Sequence, residues 1–318
     1  MDLDPNRLPD GSVTDLLTAS RVATPVGLTA PSFVDWGTFW DRDRNDADWV
    51  FADVLARGRG HSLYAGHKTG KSLLMLYIAA VVAQQAGNVV VYLDYEMTED
   101  DLHERLVDMG YGPHSDLSRL RYALLPSLPA LDLPEGGRAL GDLLDAVQVE
   151  YPNHHPVVII DTTGRAVQGD ENSADTIRSF YRWTGLGLKQ RGATWARLDH
   201  AGKDSTKGQR GSSAKGDDVD VVWRVERTDE GLNLRRDATR MSWVPERVMF
   251  HRSEDPLRYT QVVAAWPAGT GDCAADLDRL GLPLDTTSTA ALAALREAGV
   301  PRRKAVVLAA LRHRKEGR

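Results

Sequence analysis

Residues 61–80 read HSLYAGHKTGKSLLMLYIAA: a short apolar run, a turn holding two glycines, a Lys-Ser pair, then a long apolar helical pattern. Within it, Ala65, Gly66, His67, Lys68, Thr69, Gly70, Lys71 and Ser72 follow the spacing of a phosphate loop, Ala or Gly, four residues, then Gly-Lys-Ser. The spacing has a physical reading. Backbone N–H groups at a helix N-terminus converge on an anion, and the helix dipole reinforces them. Gly66 and Gly70 are expected to let the chain turn around a β-phosphate, Lys71 to reach the β- and γ-phosphates, and Ser72 to ligate Mg²⁺. The ligand predicted is therefore ATP, held with Mg²⁺.

Working outward, the same alternation of apolar run, turn and helical pattern recurs as VVVYLD, RYALL, VVIID and TWARLD, each of the first three followed by a helix, near Glu99, Leu140 and Ser173. Strands spaced by helices imply an α/β fold, a parallel sheet covered on both faces. After Asp218 the pattern becomes DVVWRVERTDEGLNLRR, two β-rich runs around Asp229, Glu230 and Gly231, which predicts an antiparallel hairpin extending the sheet.

Outside this core, residues 1–30 read as a flexible arm, and the aromatic group Trp36, Phe39, Trp40, Trp49 and Phe51 is expected to dock on the core of residues 31–264. Residues 265–287 read as a linker. Residues 288–318 read as a basic hairpin of two helices, resembling a helix-turn-helix that meets DNA or else capping the core, with Ala291, Leu292, Leu295, Val306, Val307 and Leu311 inward.

Composition limits the function classes. The 318 residues are 42% hydrophobic, enough for a sizeable core. Cys273 is the one cysteine, which excludes an internal disulfide and a cysteine-based metal cluster and reads as an inert thiol. No stretch reaches the roughly 18 consecutive apolar residues of a membrane span, and the start, MDLDPNRLPD, is acidic, so a soluble cytoplasmic protein is expected. From Arg296 to Arg318 eight basic side chains face two acidic ones; this segment is +6 in a chain of net −6, and the remainder carries −12. Contact with a polyanion must then be local.

Two further carboxylate positions complete the chemistry. VVIID delivers Asp161 to a strand tip, where it would hold the Mg²⁺ shell. VVVYLDYEM puts Asp94 and Glu96 at another tip, and spacing alone lets either orient a water toward the γ-phosphate. Together with TWARLDHAGKD, these motifs resemble the RecA superfamily, and most closely the RepA/DnaB-type hexameric replicative helicases of plasmids and phages, from about Trp49 to Tyr259. The segment Gly169, Asp170, Glu171, Asn172 matches a loop after the metal-holding strand of that family. The resemblance implies that Glu96 is the catalytic base, His200 a γ-phosphate sensor, and Arg240, with Arg236 behind it, an arginine acting in the neighbouring subunit's site. Ala238 stands where the family carries the lysine of a Lys-x-Arg pair. It also implies that Lys203, Lys207, Arg210 and Lys215 line a central channel around single-stranded DNA. The implied function is a DNA-dependent motor; the alternative is an ATP-switched DNA-binding regulator or partitioning-type ATPase without unwinding activity.

Overall fold

The computed structural model describes residues 33–40, 48–201, 214–262 and 269–316. The chain forms two compact units, Met1–Arg44 and Asn45–Arg318. In the first, Asp35 caps the one-turn helix Trp36–Phe39 by accepting from the Gly37 N–H, and the rings of Trp36, Phe39 and Trp40 pack on one another. The aromatic group expected to dock as one body is therefore divided: Trp49 and Phe51 pack against the core of the second unit, whereas Trp36, Phe39 and Trp40 belong to the first. The arm predicted for residues 1–30 lies outside the described residues.

The second unit is built on β3 (Gly60–Ala65), β4 (Asn88–Asp94), β5 (Leu120–Leu124), β6 (His155–Asp161), β7 (Thr194–His200) and β8 (Val221–Thr228), six parallel strands in the order β8-β3-β7-β6-β4-β5. β9 (Gly231–Thr239), β10 (Arg247–Glu254) and β11 (Leu257–Val262) continue the sheet antiparallel beyond β8. A small ribbon, β1 (Trp49–Phe51) with β2 (Leu55–Ala56), precedes them. The predicted parallel sheet with an antiparallel extension is thus the observed one.

The period of two along a strand sorts its side chains between two cores. Val90, Tyr92, Val157 and Ile159 pack on one face with Leu74, Met75 and Ile78 of helix α1 (Lys71–Gln84). Val89, Val91, Leu93, Val158 and Ile160 pack on the other with Leu140 and Leu144 of α3 (Pro134–Glu150), the helix that follows α2 (Glu99–Asp108) and β5. Because both faces are covered, β4 and β6 are apolar at nearly every position, which is why they read as continuous runs and not as alternating ones. The same logic explains α1, apolar nearly all round, which packs on β3, β4 and β5 and also meets β1 and β11.

Beyond β6 the chain forms the one-turn helix α4 (Thr163–Ala166), α5 (Ala174–Phe180), a π-helical turn at Tyr181–Gly185, and α6 (Leu186–Gln190) before β7. A second one-turn helix, α7 (Ala214–Asp217), precedes β8.

The C-terminal region differs from expectation. The supposed linker contains α8 (Thr270–Arg279), which joins α9 (Ser288–Glu297) and α10 (Lys304–Glu316) in a three-helix bundle. Its core is Cys273, Leu277, Ala291, Leu295, Val307, Ala310 and Leu311. Gly269, Gly271 and Pro267 around the helix start gave a linker composition, while the apolar positions of α8 are few and small, so only packing against two other helices reveals the element. In so small a bundle one large side chain matters: Leu295→Ala is expected to remove roughly 2–4 kcal/mol. Limited proteolysis of the full chain should then cut between Val262 and Arg318 at concentrations of protease that leave the parent chain intact.

Candidate nucleotide site

Six parallel strands point their C-terminal ends to one edge, and the chain reverses its direction of travel across the sheet between β3 and its neighbour β7. Open α/β sheets bind ligands in the crevice at such a point. Register places the tips together: Ala65 of β3 lies opposite His200 of β7, and Asp94 of β4 opposite Asp161 of β6. A cleft of about 860 Å³ opens there, lined by Gly66–Leu73, Glu96, His200, the β8–β9 turn and Arg252.

All eight predicted loop residues, Ala65, Gly66, His67, Lys68, Thr69, Gly70, Lys71 and Ser72, form the turn between β3 and α1. Gly70 has φ 104°, in the left-handed region, and is the N-cap of α1; a side chain there would be strained. Gly66 does not share that conformation, and Lys68 instead takes the positive φ, 57°. The tight turn thus depends on Gly70 and Lys68 rather than on both glycines. Thr69 Oγ1 donates to the Gly66 carbonyl at 2.8 Å and braces the loop. Lys71, the first residue of α1, is only 7% exposed and lines the cleft.

Ser72 Oγ donates to Asp161 Oδ1 at 3.1 Å, so the two predicted metal ligands are adjacent. Tyr92 OH donates to Asp161 Oδ2 at 2.8 Å. A hydroxyl and a carboxylate are hard oxygen donors of the kind Mg²⁺ takes. Among the described residues no group of three or more His, Cys, Asp or Glu side chains is placed to hold a metal by itself. Burial pushes the Asp161 carboxyl up to about 6, against the opposing hydrogen bonds from Tyr92 and Ser72 and the charge of Lys71.

The structure separates Asp94 from Glu96. Asp94 is fully buried and accepts the N–H groups of Glu96 at 2.8 Å and Met97 at 3.0 Å, with Tyr122 OH donating to its other oxygen at 2.5 Å. It shapes the turn. Glu96 stands past the strand end, lines the cleft, and its Oε1 accepts from Thr162 Oγ1 and from Arg165 Nε, each at 3.2 Å. The two acids therefore do not share a side, as a continuing strand would require, because the chain leaves β4 at Asp94.

His200 lies over His67 with ring centroids 4.6 Å apart, and its Nδ1 is buried without a hydrogen-bond partner among the described residues. Burial, then the charge of Lys71, lowers its proton affinity, so the ring is neutral at neutral pH and carries a single N–H donor.

Arg240 follows β9 at the sheet edge opposite the phosphate loop, where its backbone N–H donates to the Asp220 carbonyl at 2.9 Å. Its guanidinium bonds the Asp217 carbonyl and lies 3.8 Å from Asp220 Oδ1, with 55% of the side chain exposed. Arg236 is committed to its own chain, bonding the Val244 carbonyl. Neither arginine enters its own chain's cleft. Lys203, Lys207 and Arg210 lie outside the described residues, and Lys215 is described only in its backbone, in α7.

Sequence reasoning missed several contributors. Tyr92 and Tyr122 stack at 4.6 Å and each donates to one strand-tip aspartate, a pairing set by the register of β4 with β5. Thr162 and Arg165 follow the strand that supplies Asp161 and carry no motif signal of their own. Asp132 accepts the N–H groups of Gln168 and Gly169 and pins the approach to the Gly169–Asn172 loop.

Residues 29–206, more than half of the chain, match a family model described as AAA domain, and no curated protein matches the chain. The chain belongs to this AAA domain family, and its fold is the RecA-like α/β arrangement. Such a domain is a nucleotide-hydrolysing ATPase of the RecA and helicase kind.

The buried Asp161 sets a stability test in metal-free solution. Its carboxyl ionises near 3.8 when unfolded and near 6 when folded, so its contribution is full below about pH 4 and is lost as the pH rises through about 6. Asp161→Asn is expected to stabilise the protein in EDTA at pH 7 by on the order of 1–3 kcal/mol, with the gain vanishing toward pH 4 in thermal melts. The same change should lower nucleotide hydrolysis.

Proposed function

We propose that the chain is an ATP-driven motor on single-stranded DNA, a replicative helicase of the RepA-like plasmid and phage type, working as a hexameric ring. The observation that carries the reading is the convergence of Lys71, Ser72, Glu96 and His200 on one cleft, with the buried Asp161 joined to it through Ser72.

In this reading, the N–H groups around Thr69 to Ser72 cradle the phosphates and Lys71 neutralises them. Ser72 and Asp161 hold Mg²⁺, which when bound spreads the charge of the transferred phosphoryl group. Glu96 orients the attacking water and takes its proton. The neutral His200 ring donates to the γ-phosphate and registers its departure. Arg240, exposed and away from its own cleft, reaches the site of the adjacent copy and stabilises charge developing on the phosphoryl group. Lys203, Lys207, Arg210 and Lys215 follow the DNA backbone in the channel.

One observation weighs between this and a regulator that reads duplex DNA through its C-terminal helices. Arg302 is paired with Asp276, Arg314 with Asp278 at 2.8 Å, and Arg312 with Asp53 of the core. Three of the eight C-terminal cations are thus engaged within the chain and not free for a duplex, which favours the motor.

Three measurements separate the readings: ATP hydrolysis with and without single-stranded DNA, strand displacement on a forked duplex, and solution mass with a non-hydrolysable ATP analogue. Stimulated hydrolysis, displacement and a ring-sized species are expected. Slow hydrolysis with duplex binding and no displacement would support the switch instead. Lys71→Ala should abolish hydrolysis with its melting temperature unchanged; retained turnover in that variant would remove the phosphate-loop assignment.

A further inference from the structure

The backbone around Glu96 is fixed, but its carboxylate is not fixed by the backbone. Asp94 holds the N–H groups of Glu96 and Met97, so the turn is rigid while the side chain, 39% exposed, extends into open space. Two donors restrain it, Thr162 Oγ1 and Arg165 Nε, and both use the same oxygen, Oε1. Oε2 accepts no hydrogen bond from the described residues, and the residue lines the cleft.

Both donors come from the chain immediately after Asp161. Thr162 is buried directly behind it, and α4 is anchored below the cleft by Thr163 Oγ1 donating to the Leu198 carbonyl at 3.2 Å and by the Leu131 N–H donating to the Ala166 carbonyl at 2.8 Å. The platform is therefore stiff, and Arg165 projects from it with 65% of its side chain exposed. Its described hydrogen bonds from the side chain go to Glu96 alone.

An ion pair this exposed contributes little to folding, so stability does not account for an arginine aimed at this carboxylate. Orientation does. A base must present a lone pair to water within hydrogen-bond reach, and displacing a reacting group by about 1 Å can cost roughly 100-fold in rate. We propose that Arg165 is a positioning residue for hydrolysis: with Thr162 it immobilises Glu96 Oε1 so that Oε2 is directed at the attacking water. The strand that supplies Asp161 to the metal thereby also sets the base, and the two are held in one frame. This rests on the reading of Glu96 as the base.

The test measures steady-state ATP hydrolysis by the full chain carrying Arg165→Ala, Arg165→Lys, Thr162→Val or Glu96→Gln, with melting temperatures alongside. Arg165→Ala is expected to lower kcat roughly 10- to 100-fold, with KM for ATP within about twofold and melting unchanged. Thr162→Val should act in the same direction, and Arg165→Lys should keep an intermediate rate. Ethylguanidine added to Arg165→Ala should restore part of the rate and leave Glu96→Gln inactive. A kcat within about twofold of the parent for Arg165→Ala, while Glu96→Gln is inactive, overturns the Arg165 role and leaves the base reading standing. Full turnover by Glu96→Gln overturns the base reading, and this inference with it. Should Arg165→Ala lower the melting temperature by several degrees, Arg165→Lys is judged by the same criterion, since it keeps the charge and stem.

Discussion

A single hydrogen bond, Ser72 Oγ to Asp161 Oδ1, joins the first turn of α1 to the tip of β6. It spans a sheet in which β7 lies between β3 and β6, and it exists only because α1 crosses from one half of the parallel sheet to the other. The carboxylate it meets is buried, and its neighbours, Tyr92 and Lys71, offset only part of the desolvation, so the carboxyl is held near 6. The fold tolerates a destabilising group at the place where a metal would make it favourable, a common property of functional sites.

Around that contact, chemically similar groups are given different tasks by their surroundings. Asp94, Glu96 and Asp161 all stand at strand tips of one edge. Asp94 is enclosed and spends its lone pairs on two backbone N–H groups and a tyrosine, so it organises a turn. Asp161 is enclosed but shares its oxygens with side chains that can give way to a metal. Glu96 is half open to the cleft and held from one side. Environment, rather than residue type, assigns the roles.

The C-terminal bundle shows the same effect for positive charge. A net of +6 over residues 296–318 suggests a polyanion surface, yet Asp276 and Asp278 of α8 and Asp53 of the core take up three of its arginines. Charge tallied along a chain counts ions, whereas the field outside the protein depends on which of them are already paired.

Local regularities made much of this molecule legible from its residues. The phosphate loop, the apolar runs of β4 and β6 and the hairpin at Asp229–Gly231 are short-range patterns, dictated by backbone geometry and by burial on both faces of a sheet. The positions of Lys71, Ser72, Asp161 and His200 follow from those patterns because each ends a strand or begins a helix. What pairs with what was decided only in three dimensions. Spacing could not distinguish Asp94 from Glu96, since the choice lies in where the chain leaves β4. Tyr122 meets Asp94, Arg165 meets Glu96 and Asp276 meets Arg302 across 28, 69 and 26 residues. Helix α8 is equally non-local, its few small apolar residues buried only by helices later in the chain. Contacts closed over such separations depend on strand order and packing, which no stretch of sequence carries alone.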